Sequence, residues 1–113
     1  MRKYAETLTN YSSEYLFFSE WRYGKSRMKR CGNHAVVLNP LSTALLDDRT
    51  GGEVEINNPS RVFTYHDNVI CVVRDSDNKF WLSHAGWWTT STSQALNQYR
   101  ELFQRRGYKC MTD

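Results

Sequence analysis

Residues 61–103 read RVFTYHDNVICVVRDSDNKFWLSHAGWWTTSTSQALNQYRELF, and their pattern decides the fold. Arg61, Phe63 and Tyr65 alternate with Val62, Thr64 and His66, the period of a half-buried strand. Asp67-Asn68 turns the chain, and VICVVR at 69–74 is an almost unbroken apolar run, which predicts a central strand covered on both faces. Asp75-Ser76-Asp77-Asn78 is a turn by side-chain chemistry, since each residue can bond nearby backbone. It is too short to supply the oxygens of a calcium site. KFWLSHA at 79–85 closes an antiparallel meander, with Phe80, Leu82 and His84 on one face and Trp81, Ser83 and Ala85 on the other.

A helix follows the meander. Gly86 permits a sharp exit from the strand, Trp87 is placed to cover the sheet edge, and Thr89, Thr90 and Ser91 can satisfy the first N–H groups. Ser91-Thr92-Ser93-Gln94 fits a capping box, with Ser91 as the cap and Gln94 reaching back. Ala95, Leu96, Tyr99, Leu102 and Phe103 form the apolar stripe, Arg105 and Arg106 complement the dipole, and Gly107 stops a helix over about 92–106.

Working outward towards the N-terminus, Ala44–Asp48 and Glu53–Asn57 flank Arg49-Thr50-Gly51-Gly52 and predict a hairpin. Val54 and Ile56 face inward there, leaving Glu53 and Glu55 wet beside Asp47 and Asp48. HAVVLN at 34–39 is a further strand stopped by Pro40. Residues 24–33, GKSRMKRCGN, lack an apolar period and read as an exposed connection. Tyr4, Leu8, Tyr11, Tyr15 and Phe18 recur at helical spacing, which predicts an N-terminal helical segment over about 4–23, firmest from Asn10 to Trp21, with Asn10 as N-cap and Gly24 as terminator.

The expectation is one α+β domain over 1–113: an antiparallel sheet of about five strands, a meander over about 34–85, flanked by an N-terminal and a C-terminal α-helix. Three cysteines without a repeating spacing argue against a disulfide framework and for a reducing compartment. No apolar run approaches the ~20 residues of a bilayer span, and MRKYAETLTN has no signal-peptide core, so the expected place is the cytoplasm, without membrane contact.

Chemistry-bearing patterns are sparse. Cys31-Gly32-Asn33-His34 has a C-x2-H spacing that could hold zinc with His66 or Cys71, but one such pair is a weak signal beside ordinary turn and packing roles, and no metal or other cofactor is expected. No Gly-rich phosphate loop, Ser-x-x-Lys or paired-carboxylate motif is present, so the chain is read as non-enzymatic. The net charge of +3 is modest but segregated. Arg22, Lys25, Arg27, Lys29 and Arg30 form a basic segment that suits a nucleic-acid backbone or an acidic partner, with Trp21 and Tyr23 beside it to stack on a base. Asp47, Asp48, Glu53 and Glu55 form an acidic face that can imitate phosphate to a basic groove.

Tyr65, His66, Asn68, Leu82, Ser83, Gly86, Trp87, Thr89, Ser91 and Thr92 together resemble a small uncharacterised domain common in bacteriophage genomes, with a Gly-Trp-x-Thr-x-[Ser/Thr]-Thr motif between strand and helix. The resemblance covers the second half of the chain. It departs at Ala85-Gly86, where the family has two glycines, and at Ser93-Gln94-Ala95, where Lys and Arg often follow the threonines. It implies a viral context and little chemistry, which makes the expected cytoplasm that of a host. The expected function is that of a phage-encoded protein that binds a host protein or nucleoprotein complex, as a stoichiometric, anti-CRISPR-like inhibitor of a nucleic-acid-handling defence. The alternative is direct DNA or RNA binding by the basic segment, and unpaired edge strands leave a homodimer open.

Overall fold

The structure, a computed structural model, describes residues 4–23 and 27–112, with side chains throughout except at 15–23 and 27. The described chain is α+β: helix α1 (Tyr4–Tyr23), strands β1 (Arg27–Cys31), β2 (His34–Leu38), β3 (Ser42–Leu46), β4 (Glu53–Asn57), β5 (Arg61–Tyr65), β6 (Asn68–Arg74) and β7 (Lys79–Leu82), helix α2 (Thr90–Arg105) and a short β8 (Lys109–Cys110). Six strands form one sheet in the order β1-β2-β5-β6-β7-β8, while β3 and β4 pair only with each other. All neighbours are antiparallel except β7 and β8.

The sheet separates two cores. On one face Val36, Leu38, Phe63, Val73, Phe80 and Leu82 meet Ala5 and Leu8 of α1 and Ala95, Leu96, Tyr99 and Phe103 of α2. On the other, Val62 and Val72 meet Leu45 and Ile56 of the β3–β4 hairpin. The two helices therefore lie on the same face instead of flanking the sheet, and the hairpin is the third layer. This explains the apolar run in β6, where Ile70, Cys71, Val72 and Val73 are all buried between layers. A shift of register between Phe63 and Thr64 opposite β6 allows Ile70 and Cys71 to join the same core.

Several sequence expectations change. The stretch read as an exposed connection contains β1, which pairs with β2 through a two-residue Gly32-Asn33 turn. Only the first of these has positive φ, 64° at Gly32, the pattern of a type II′ turn. Strand β1 is an edge strand carrying charges, so it has no alternation of apolar residues to reveal it. Helix α1 covers Tyr4–Tyr23, so Asn10 is inside it and accepts a hydrogen bond from Arg106 Nη2 at 3.1 Å instead of capping. Its buried face is Ala5, Leu8, Thr9 and Ser12, with Tyr4 and Tyr11 half-buried at its border. Small residues let α1 approach closely, and Ser12 Oγ is satisfied by donating to Thr9 O at 2.9 Å. Gly24 lies outside the described residues.

One polar network ties the layers together. Arg61, on β5, donates through Nη2 and Nε to the two carboxylate oxygens of Asp75 at 2.7 and 3.0 Å, and through Nη1 to Ser12 and Ser13 of α1 at 3.2 and 2.9 Å. Ser60 and the Tyr108 hydroxyl also donate to Asp75. Burial pushes the Asp75 carboxyl up, but Arg61, Ser60 and Tyr108 outweigh it and hold the group below its ordinary value. Burial and the Asp75 charge push Tyr108 up to about 12. The guanidinium also lies 5.3 Å from the Phe103 ring centroid.

Candidate binding groove at the head of the second helix

Two tight reversals at one end of the sheet shape the groove. Between β5 and β6, Tyr65 pairs with Asn68, and His66 and Asp67 both have positive φ, 50° and 65°. That is a type I′ turn, which follows the twist of the strands and projects His66 beyond the sheet. After β7, Ala85 and Gly86 have φ of 51° and 82°, and Trp87 N–H closes the corner on His84 O at 2.8 Å. Thr89 caps α2: its Oγ1 accepts from Thr92 N–H at 3.2 Å. The cap thus lies two residues before Ser91, and Ser91 and Gln94 are exposed on the first turn instead of forming the expected box.

Between these reversals is a cavity of about 440 Å³ lined by Tyr65, His66, Asn68, Ile70, His84, Trp87, Thr89, Ser91 and Thr92. It shares Tyr65 and Ser91 with a second hollow of about 210 Å³, which continues past His34, Gln94 and Gln98 to Tyr4. Seven of the ten residues that carry the sequence resemblance line the larger cavity. Trp87 is not a cover for the sheet edge: it is 60% exposed, and Trp88 beside it is 66% exposed.

The groove is lined by aromatic rings and imidazoles. All three histidines of the chain line it, and among the described residues no carboxylate does. Tyr4, His34, Tyr65 and His66 form a run of rings with successive centroids 5.0, 4.5 and 4.3 Å apart. Burial, and then the nearby His66, lower the pKa of His34, so its imidazole is held neutral near pH 7. Its Nδ1 is buried with no hydrogen-bond partner among the described residues.

His84 is fixed from several sides. Asp48 accepts from His84 N–H at 3.0 Å and from Ser83 Oγ at 3.2 Å, and its Oδ2 lies 2.8 Å from His84 Nδ1. His84 Nε2 is 3.3 Å from Ser93 Oγ, and Trp88 stacks flat on the imidazole at 3.8 Å and 15°. Carboxylate, imidazole and hydroxyl follow the order of a nucleophilic relay. Ser93, however, lines neither hollow, and Trp88 covers one face of the ring. The trio is better described as a clamp holding the β3–β4 hairpin against the corner, and it leaves Trp88 with its other face outward.

The predicted charge sites are dispersed. Lys25 lies outside the described residues, as do the side chains of Trp21, Arg22, Tyr23 and Arg27, whose backbone belongs to α1 and β1. Lys29 and Arg30 are exposed, with Lys29 over the Tyr11 ring at 5.5 Å and Arg30 paired with Asp67 at 3.1 Å. In the acidic face Glu53 and Glu55 are exposed, Asp48 is engaged by His84, and Asp47 Oδ1 accepts from Arg49 N–H at 2.9 Å. Cys31 and His34 face each other across the β1–β2 turn, but among the described residues no group of three His, Cys, Asp or Glu could hold a metal ion. No described helix is long and apolar enough to cross a membrane.

Sequence reasoning missed the groove, although the Trp87-Trp88 doublet is a signal for it. Two consecutive large rings in a corner between strand and helix have no alternating face on which both can be buried. No family model, curated protein or solved structure matches the chain.

Proposed function

We propose that this chain is a phage-encoded, non-enzymatic protein that binds a host nucleic-acid-handling complex stoichiometrically, in the manner of an anti-CRISPR inhibitor, in the host cytoplasm. The observation that supports this reading is the exposed Trp87-Trp88 pair at the rim of a 440 Å³ aromatic groove. Exposed tryptophans beside a preformed hollow are the usual anchors of recognition, since they gain large apolar area on contact at little cost in side-chain entropy. The contact surface is this groove and its rim. The acidic hairpin contributes less, because two of its four carboxylates already carry intramolecular hydrogen bonds, Asp48 to His84 and Asp47 to Arg49 N–H.

The test is capture from host lysate by the wild-type chain, by Trp87→Ala/Trp88→Ala and by Glu53→Gln/Glu55→Gln. A nucleic-acid-handling complex retained by the wild type and the hairpin variant, and lost by the tryptophan variant, is the expected result. Loss by the hairpin variant alone would transfer the function to the acidic face.

A further inference from the structure

We infer that the groove is a site for a single strand of nucleic acid, with bases stacked on Trp87 and Trp88 and at least one base seated between His66 and the first turn of α2. The inference rests on the reading of the groove as the contact surface, and it names the component of the partner complex that enters it.

Four observations converge on that ligand. The first is size: about 440 Å³ is within the range of ligand-sized hollows, and the adjoining 210 Å³ extends it as a track. The second is ring chemistry. Trp88 is held flat against His84 at 3.8 Å, and its 66% exposure leaves the outer π-face open, a rigid platform that any base can stack on. The third is charge: among the described residues three histidines and no carboxylate line the track, and the acids beside it, Asp48 and Asp67, are held by His84 and Arg30. Lys29 and Arg30 are exposed on β1, and Arg30 reaches the turn that carries His66 by binding Asp67. The fourth is polar reach. Ser91 is an exposed hydroxyl at the wall, and Asn68 and Gln94 add amide groups that can donate and accept, which suits base edges and sugar hydroxyls.

A duplex does not fit this description. Its bases are stacked internally and cannot enter a hollow lined by rings, whereas unstacked bases can. A peptide partner would also find aromatic anchors here, and the test separates the two.

The experiment is a titration of the purified chain with a fluorescein-labelled 12-mer of oligothymidylate, the matching 12-mer of uridylate and a 12-base-pair duplex, over a salt series, read by anisotropy and by quenching of tryptophan emission. The expected result is binding of a single strand with tryptophan quenching, weaker binding of the duplex, and affinity that falls as salt rises. Trp88→Ala and His66→Ala should each weaken it by about tenfold. Both residues are exposed, and unchanged thermal melts establish that the variants are folded. No binding of either strand at low salt overturns the inference. So does binding that survives both substitutions and is lost in Lys29→Ala/Arg30→Ala. In either case a complex still captured from lysate through the tryptophans would leave the proposed function standing, with protein as the occupant of the groove.

Discussion

Ala85 and Tyr99 show how single residues carry costs that the fold tolerates. Ala85 has φ of 51°, in the left-handed region where a Cβ clashes with the carbonyl and glycine does not. Ala85→Gly should therefore raise stability by about 0.5–1 kcal/mol, less than the full strain because glycine also loosens the unfolded chain. A thermal or urea melt checks it, and a lower midpoint would count against the corner geometry. Tyr99 is fully buried against Phe63, with ring centroids 4.5 Å apart, and its hydroxyl has no partner among the described residues. Tyr99→Phe removes an unpaired buried polar group while keeping the ring, so it should stabilise the chain by about 1 kcal/mol in the same measurement. Loss of stability would place an unseen partner on that hydroxyl. Ser93 allows a different check, because its spacing from His84 and Asp48 is that of a relay. If the trio is a clamp, a fluorophosphonate probe leaves Ser93 unlabelled, as read by mass spectrometry, and labelling would contradict the non-enzymatic reading.

At the scale of elements, the β3–β4 hairpin depends on a small apolar patch and on Asp48. Leu45 and Ile56 pack on Val62 and Val72, and Asp48 joins the end of the hairpin to Ser83 and His84. Asp48→Ala leaves those donors unpaired at a half-buried site and should cost about 1–3 kcal/mol. Hydrogen exchange should then speed up in β3 and β4 while β5 and β6 stay protected. Uniform loss of protection would mean that the hairpin is not a separable layer. The elements most legible in the sequence were those with complete local signals: alternation and apolar runs gave β5 to β7, and the apolar stripe from Ala95 to Phe103 with Gly107 gave α2. Strand β1 was hidden because Arg30 and Lys29 sit where apolar residues would mark a strand. Strand β8 is two residues long, and its parallel pairing with β7 is a tertiary event with no local signature. Asn10 looked like a cap because helix starts are read from side-chain oxygens, yet its oxygen serves Arg106, 96 positions away.

For the whole molecule, the Arg61–Asp75 network is the joint between α1, the sheet and the C-terminal tail. Arg61 is nearly inaccessible, its side chain 6% exposed, so removing its counter-charge strands a buried cation. Asp75→Asn should cost about 3 kcal/mol, measured by chemical denaturation, and a loss below about 1 kcal/mol would show that the serines alone can hold the guanidinium. The pH dependence follows from the direction of the shift. The folded carboxyl titrates below its ordinary value of 3.8, so the unfolded chain takes up the proton first as pH falls. The stabilisation is complete above that value and is lost as pH drops through the lower folded pKa. Wild-type stability should thus decline below about pH 4 more steeply than that of Asp75→Asn. None of this network was visible in the sequence, since Ser12, Arg61, Asp75 and Tyr108 are brought together only by folding.

The groove is likewise a product of the whole fold, although its residues form a motif in the sequence. Tyr65, His66, Trp87, Thr89 and Ser91 looked architectural when read as strand ends and caps, and became walls of one cavity when two reversals faced each other. Under the proposed function recognition belongs to this end of the molecule, which backbone and indole N–H shifts on adding the oligothymidylate 12-mer report. Movement of the Trp87 and Trp88 indoles and of the His66, His84 and Ser91 amides is expected, with the Trp81 indole on the hairpin side of the sheet unmoved. Shifts confined to β1, or none at saturating strand, would contradict it.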